Sequence, residues 1–219
     1  MSALVWDAAG KHFYETGTDH GVLYPMMATG DTYAKGVAWN GLTGVTESPS
    51  GGEASPIYAD NIKYLNLYSA EEFGATIEAY QAPDEFAECD GTAQIAAGVT
   101  ISGQKRKAFG FSFRSIIGND VQNNDYGYKL HLIYNAMASP SERSYTTVND
   151  SPEAMTLSWT VTTTPVEVGG NYRPTSHIVI DSKKVDAAKL AALEAKLYGS
   201  ASEEPTLPTP AEVIAMFAE

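Results

Sequence analysis

The second half of the chain alternates apolar and polar residues at every other position, and this restricts what it can fold into more than any other feature. Phe109, Phe111 and Phe113 fall on one side of such a pattern, with Ala108, Gly110, Ser112 and Arg114 on the other. Tyr128, Leu130, Leu132 and Tyr134 repeat it, setting Lys129 and His131 outward. Met155, Leu157, Trp159 and Val161 make a third face against Thr156, Ser158, Thr160 and Thr162, and Ile178 with Ile180 a fourth. A period of two places successive side chains on opposite faces of an extended strand, whereas a helix needs a period near 3.6. Several such runs, separated by Asn, Asp and Gly, predict antiparallel sheets packed as a sandwich or barrel.

The first half adds weaker signals of the same kind. Asn40-Gly41 between Trp39 and Leu42 predicts a tight hairpin. Residues 48–61 are rich in Ser, Gly and Pro without a hydrophobic period, which predicts a long loop. Ile62, Tyr64 and the segment from Asn66 to Tyr68 read as a strand. Phe73, Ala75, Ile77 and Ala79 then alternate against Glu72, Thr76 and Glu78. Pro83 to Glu88 reads as one helical turn, with Gly91 after it.

Beyond residue 181 the period changes. Asp186 is placed to cap a helix running to Tyr198, with Leu190, Leu193 and Leu197 on one stripe and Gly199 as the stop. Thr209-Pro210-Ala211-Glu212 forms a capping box with Pro at the first helical position, opening a short helix that carries Val213, Ile214 and Phe217. The expected fold is therefore mainly β, antiparallel, with a short helix within it and helices at the C-terminus.

A chain of 219 residues buries roughly 70% of its unfolded surface and needs no disulfide to hold it. Its single cysteine, Cys89, forms no internal bridge, which fits folding in a reducing cytoplasm. Met1 to Gly10 lacks the basic and apolar regions of a signal peptide, and no stretch approaches the roughly 20 apolar residues of a membrane span. A net charge of −13 opposes binding to nucleic acid or anionic membranes. The expectation is a soluble protein without a membrane partner.

The residue types that usually carry chemistry do not assemble into a pattern. His12, His20, His131 and His177 match no metal-ligand spacing. His131 and His177 fall on outward strand positions and read as exposed, while His12 and His20 show no partner. There is no G-x-S-x-G elbow, P-loop or G-x-G-x-x-G. Cys89 lies between Glu88 and Asp90, which disfavour a thiolate. Asn119 to Gly127 is rich in Asn and Asp but fails the EF-hand pattern, and reads as a wide hairpin loop. Lys105-Arg106-Lys107 reads as a solvated strand edge. No catalytic, cofactor-binding or metal residue is expected, and the chain reads as something other than an enzyme.

The ordered set of segments resembles the major tail (tail tube) proteins of long-tailed bacteriophages of the siphophage type. The likeness is carried by Gly36-Val37-Ala38-Trp39-Asn40-Gly41-Leu42, by Tyr58-Ala59-Asp60-Asn61, and by Glu72-Phe73-Gly74 through Tyr80 into Pro83 and Phe86. It continues through Phe109 to Arg114, Ile117-Gly118-Asn119-Asp120 and Gly127 to Asn135, then Trp159, Thr164-Pro165-Val166 and Pro174 to Asp181. It covers roughly residues 20 to 181.

The resemblance implies a sandwich- or barrel-like tube fold over residues 1–181, including the 48–61 loop, with residues 182–219 as a helical extension. It implies self-association into hexameric rings that stack into a conduit, with no cofactor and no substrate turned over. Further partners would be other tail proteins such as the tape measure, tail terminator and tail tip. DNA would pass through the lumen without specific binding, and the protein, made in the host bacterial cytoplasm, would reside in the virion tail. Met155 to Thr162 and Phe109 to Arg114 are each candidates for core strand or ring-forming edge. The 48–61 loop is the candidate for ring stacking, and Glu72 and Glu78 for the lumen wall. The competing class is a β-sandwich carbohydrate-binding or adhesion module, since exposed Tyr and Trp stack on sugars.

Overall fold

The longest strands form where the alternation is strongest. In chain order, the computed structural model contains β1 (Phe13–Pro25), β2 (Val37–Ala38), β3 (Leu42–Glu47), β4 (Ser50–Gly51), β5 (Ala54–Ala59), β6 (Ile62–Tyr68) and β7 (Glu71–Glu72). These are followed by β8 (Gly74–Ala79), β9 (Ala93–Ala96), β10 (Val99–Ile101), β11 (Phe109–Asn119), β12 (Asn123–Ala138), β13 (Leu157–Thr163) and β14 (His177–Asp181). Two helices, α1 (Ala187–Tyr198) and α2 (Pro210–Phe217), close the chain. The structure describes residues 3–30, 32–148, 150–151 and 153–218. Met1 and Ser2, at the start of the segment read above for a signal peptide, lie outside them.

The protein is mainly β, with antiparallel sheets and two short helices. The principal sheet runs β2-β1-β11-β12-β13-β8-β3, with β14 as an additional partner of β12. β12 has 16 residues, enough to serve two partners along one edge. Lys129 to Ile133 pairs with β14, and Ala136 to Ala138 with β13. β11 and β13 each lie between two neighbours, so both are interior strands; β3 and β14 each pair on one side only.

This sheet cannot be flat. β2 and β3 stand at opposite ends of the strand order, which in a flat sheet spaced at about 4.8 Å would separate them by about 29 Å. Only Trp39, Asn40 and Gly41 join them, a connection that spans at most about 14 Å. The sheet therefore curls until its ends approach. Asn40-Gly41 is a turn as the sequence indicated, but it closes no hairpin: β2 pairs with β1 and β3 with β8.

Curling gives the sheet two buried faces. On one lie Leu23, Trp39, Ile77, Phe86, Phe109, Phe111, Phe113, Ile133, Trp159 and Val161. Trp39 is the centre of an aromatic cluster, with ring centroids 4.7 Å from Phe86, 5.5 Å from Phe111 and 5.4 Å from Trp159. On the other face, Val22, Tyr24, Leu130, Leu132, Tyr134 and Ile180 pack beneath Leu190, Leu193 and Leu197 of α1 and Val213 of α2. The alternation thus sorts residues between two covered faces. Gly110 and Ser112, set opposite the phenylalanines, are buried for the same reason. His131 is also buried, contrary to its reading as exposed.

Both helices follow their local signals. The Asp186 carboxylate accepts from the backbone N–H groups of Ala188 and Lys189, each at 3.0 Å. Gly199 ends α1 at φ +79°, and Thr209 with Glu212 completes the capping box of α2. Tyr24 fastens α1 to the sheet, its hydroxyl donating to the Leu197 carbonyl at 2.8 Å within a buried environment. Tyr24→Phe leaves that carbonyl unpaired and is expected to cost about 1–2 kcal/mol. The loss should show as a lower urea midpoint at unchanged slope, and an unchanged midpoint would refute this role.

Several sequence expectations change here. Residues 48–61 are not a long loop. They supply β4, paired with β7, and β5, paired with β6. Pro56 is tolerated because the pair is only two strands wide and offers it an edge. Asp60 and Asn61 make the two-residue turn, at φ +51° and +66°, the left-handed values such a hairpin requires. The Asn119–Gly127 loop is tighter than its sequence suggested. Only residues 120–122 are outside the strands, and the Asn119 side-chain oxygen Oδ1 accepts from the N–H groups of Val121 and Gln122. Pro83 precedes a 3-10 turn over Asp84–Glu88. Met155 lies before β13 and is exposed. Lys107 and Arg106 are pinned to that 3-10 turn region through Glu88 and Asp90, which leaves only Lys105 as a solvated edge charge.

Candidate functional site

The β5–β6 hairpin carries apolar side chains that nothing among the described residues covers. Ile57, Tyr58, Ile62, Tyr64, Leu65, Leu67 and Tyr68 are between 38% and 68% exposed. Cross-strand pairing sets Ile57 beside Leu65, with Leu67 on the same face; Ile62, Tyr64 and Tyr68 fall on the other. Both faces are therefore apolar and both meet solvent. A two-stranded hairpin is at best marginally stable alone in water, and exposed apolar surface of this kind is uncommon on a monomer. Ile95, Val99 and Ile101 expose a second, smaller apolar surface on β9 and β10, and Leu4, Val5 and Trp6 a third near the N-terminus.

A contrasting surface lies on the outer face of β3, β8 and β13. Register places Glu78 beside Ser158 and Gly44, and Thr76 beside Thr160 and Thr46. These side chains point away from Ala75, Ile77 and Ala79, which are buried. The result is a wall of short hydroxyl side chains with a carboxylate. Glu72 sits apart from it, exposed on β7 and paired with Ser50 of β4.

The third constellation joins residues far apart in sequence. Glu47 at the end of β3, His131 in β12 and His177 at the start of β14 bring three ligand atoms together. Glu47 Oε1 lies 3.2 Å from His131 Nδ1 and 3.6 Å from His177 Nε2, and the two nitrogens are 3.3 Å apart. Ser115 Oγ is 3.0 Å from His131 Nε2. The Phe113 ring stacks on His131 at 4.4 Å and the Phe73 ring on His177 at 4.3 Å. Burial pushes both imidazoles down to about 4; Glu15 opposes this at His131, and His131 adds to it at His177. Burial, with Glu15 nearby, raises the Glu47 carboxyl, against the pull of Lys129. Both rings are thus neutral at neutral pH. Sequence reading missed this cluster because each histidine was judged by its spacing along the chain and its strand position, and neither reports a contact between distant strands.

The remaining candidates resolve individually. Cys89 is fully buried and its thiol is pushed up to about 12, chiefly by burial, with Glu88 and Asp90 adding to the effect. His12 and His20 do have partners: His12 lies 3.2 Å from Asp120, and His20 lies 2.9 Å from Asp19, which also takes a two-pronged hydrogen bond from Arg114. A groove of about 470 Å³ is lined by Phe13, Tyr14, Tyr126 and Lys129 among others. Lys183 lies over the Tyr126 ring at 5.1 Å, which takes up a face that a sugar would need for stacking. Among the described residues, no helix is long and apolar enough to cross a membrane. No protein-family model matches the chain, and no curated protein matches it.

Proposed function

We propose that this chain is a structural subunit of a siphophage-type tail tube, assembling into hexameric rings that stack into the conduit for DNA. The observation that carries this reading is the β5–β6 hairpin, whose two apolar faces find no cover among the described residues. A second copy supplies that cover, because an identical subunit presents the smaller apolar surface of β9 and β10 and the exposed N-terminal segment. Repetition of one contact around a ring lets each copy both give and receive it. On this reading the curled sheet with helices on its outer face serves as the tube barrel, and the β5–β6 hairpin, which takes in most of residues 48–61, takes the stacking role expected of that segment. The wall of Thr46, Thr76, Glu78, Ser158 and Thr160 faces the lumen, where hydroxyls and a carboxylate offer phosphates nothing to grip. The chain acts by assembly, catalyses no reaction, and resides in the virion tail alongside the tape measure, terminator and tip proteins.

Electron microscopy of the purified protein, with sedimentation over a wide concentration range, tests the assembly. Rings or tubes are expected from the wild type. Leu65→Asp with Leu67→Asp should abolish them while leaving thermal unfolding within about 0.5 kcal/mol of the parent, since both sites are exposed. A wild type that stays monomeric at all concentrations overturns the reading, and a monomer that binds sugars points to a carbohydrate-binding module instead. The lumen has its own test. Glu78→Lys should leave tubes assembling but slow DNA ejection, most at low salt, where screening is weak, whereas Glu72→Lys, apart from the wall on β7, should have the smaller effect. Unchanged ejection of Glu78→Lys tails at low salt removes that carboxylate from the lumen wall.

A further inference from the structure

We propose that Glu47, His131 and His177 form a zinc site that ties β3 to the β12–β14 pair. In a tetrahedral zinc site with bonds of about 2.0–2.1 Å, ligand atoms stand about 3.3–3.4 Å from one another. The three edges of the triangle found here are 3.2, 3.3 and 3.6 Å. An ion at bonding distance from all three requires shifts of only a few tenths of an ångström.

The surroundings fix the ligands in the state that a metal needs. His131 presents Nδ1 to the triangle, while its Nε2 lies 3.0 Å from Ser115 Oγ. An Nε2–H donating to that hydroxyl leaves the Nδ1 lone pair directed inward, the outer-sphere arrangement that orients metal-bound imidazoles. Phe113 and Phe73 hold the two rings by stacking, Phe113 lying within 8° of the His131 plane. Lys129, whose charge acts on both His131 and Glu47, is itself paired with Glu15, which blunts its repulsion of an incoming ion.

The donor set also selects the ion. Two imidazoles and one carboxylate suit zinc and late first-row metals, whereas magnesium and calcium take oxygen ligands. Three protein ligands leave a fourth position for water. The Glu47 side chain is 40% exposed and gives the ion a route in. The ligands come from β3, at the end of the curled sheet, and from the β12–β14 pair on its branch, so one ion cross-links parts that share no direct strand pairing. The site does not depend on the tube reading, and a failure of either leaves the other intact.

Titration calorimetry on chelator-treated full-length protein tests the proposal with zinc and, separately, magnesium. One zinc per chain and no magnesium binding are expected. His177→Ala and Glu47→Gln should each weaken zinc binding at least about 100-fold, and Ser115→Ala by about tenfold. His12→Ala, at an exposed histidine beside Asp7 and Asp120, should change nothing. Should His177→Ala fail to fold, Glu47→Gln decides, since it preserves side-chain volume at a partly exposed position. No stoichiometric zinc binding, or binding that survives Glu47→Gln undiminished, overturns the site.

Discussion

A chain ending at Asp181 is expected to lose its cooperative native fold. Removing α1 and α2 uncovers Val22, Tyr24, Leu130, Leu132, Tyr134 and Ile180, which pack against Leu190, Leu193, Leu197 and Val213. Each fully buried apolar side chain of this kind contributes about 1.5–3 kcal/mol. Six of them rival the whole net stability of a domain, about 5–15 kcal/mol. The shortened chain should bind a hydrophobic dye and lose its near-ultraviolet dichroism while keeping strand signal in the far ultraviolet. The milder Leu193→Ala is expected to retain the fold at a cost of about 2–5 kcal/mol. A shortened chain that melts sharply, within a few degrees of the full length, would show that the helices are dispensable to the β-structure.

Trp159→Ala is expected to be the most damaging single substitution on the opposite face, at about 3–5 kcal/mol. Its ring lies 5.4 Å from Trp39 and 5.2 Å from Phe86, so truncation opens a cavity at the centre of the aromatic cluster. The indole hydrogen-bonding sets the two tryptophans apart. Trp39 Nε1 donates to the Gln81 carbonyl at 2.8 Å, whereas Trp159 Nε1 is buried without a partner among the described residues. Trp159→Phe should therefore cost less than Trp39→Phe, by about the 1 kcal/mol of a hydrogen bond. Denaturant midpoints of the three variants check this ordering, and a Trp159→Ala loss under about 1 kcal/mol would contradict the packing described.

What the sequence determined by itself is what neighbouring residues decide. The alternation from Phe109 to Phe113 and from Tyr128 to Tyr134 established strands because side-chain period follows directly from backbone geometry. α1 and α2 were legible almost to the residue, since Asp186, Gly199 and the Thr209–Glu212 box act on backbone groups within one turn. The β5–β6 hairpin was less legible, because Ser, Gly and Pro around residues 48–56 masked the Asp60-Asn61 turn. Only the tertiary structure decided what covers each face. Alternation says which residues share a side, but not that helices cover one side and the curled sheet the other, and so His131 was taken for an exposed residue. Nor does any local pattern bring ligand atoms of Glu47, His131 and His177 within 3.6 Å of one another. That convergence depends on β12 being long enough to pair with β14 and on the sheet curling far enough to bring in the end of β3. Both are properties of strand order and packing, which spacing along the chain does not encode.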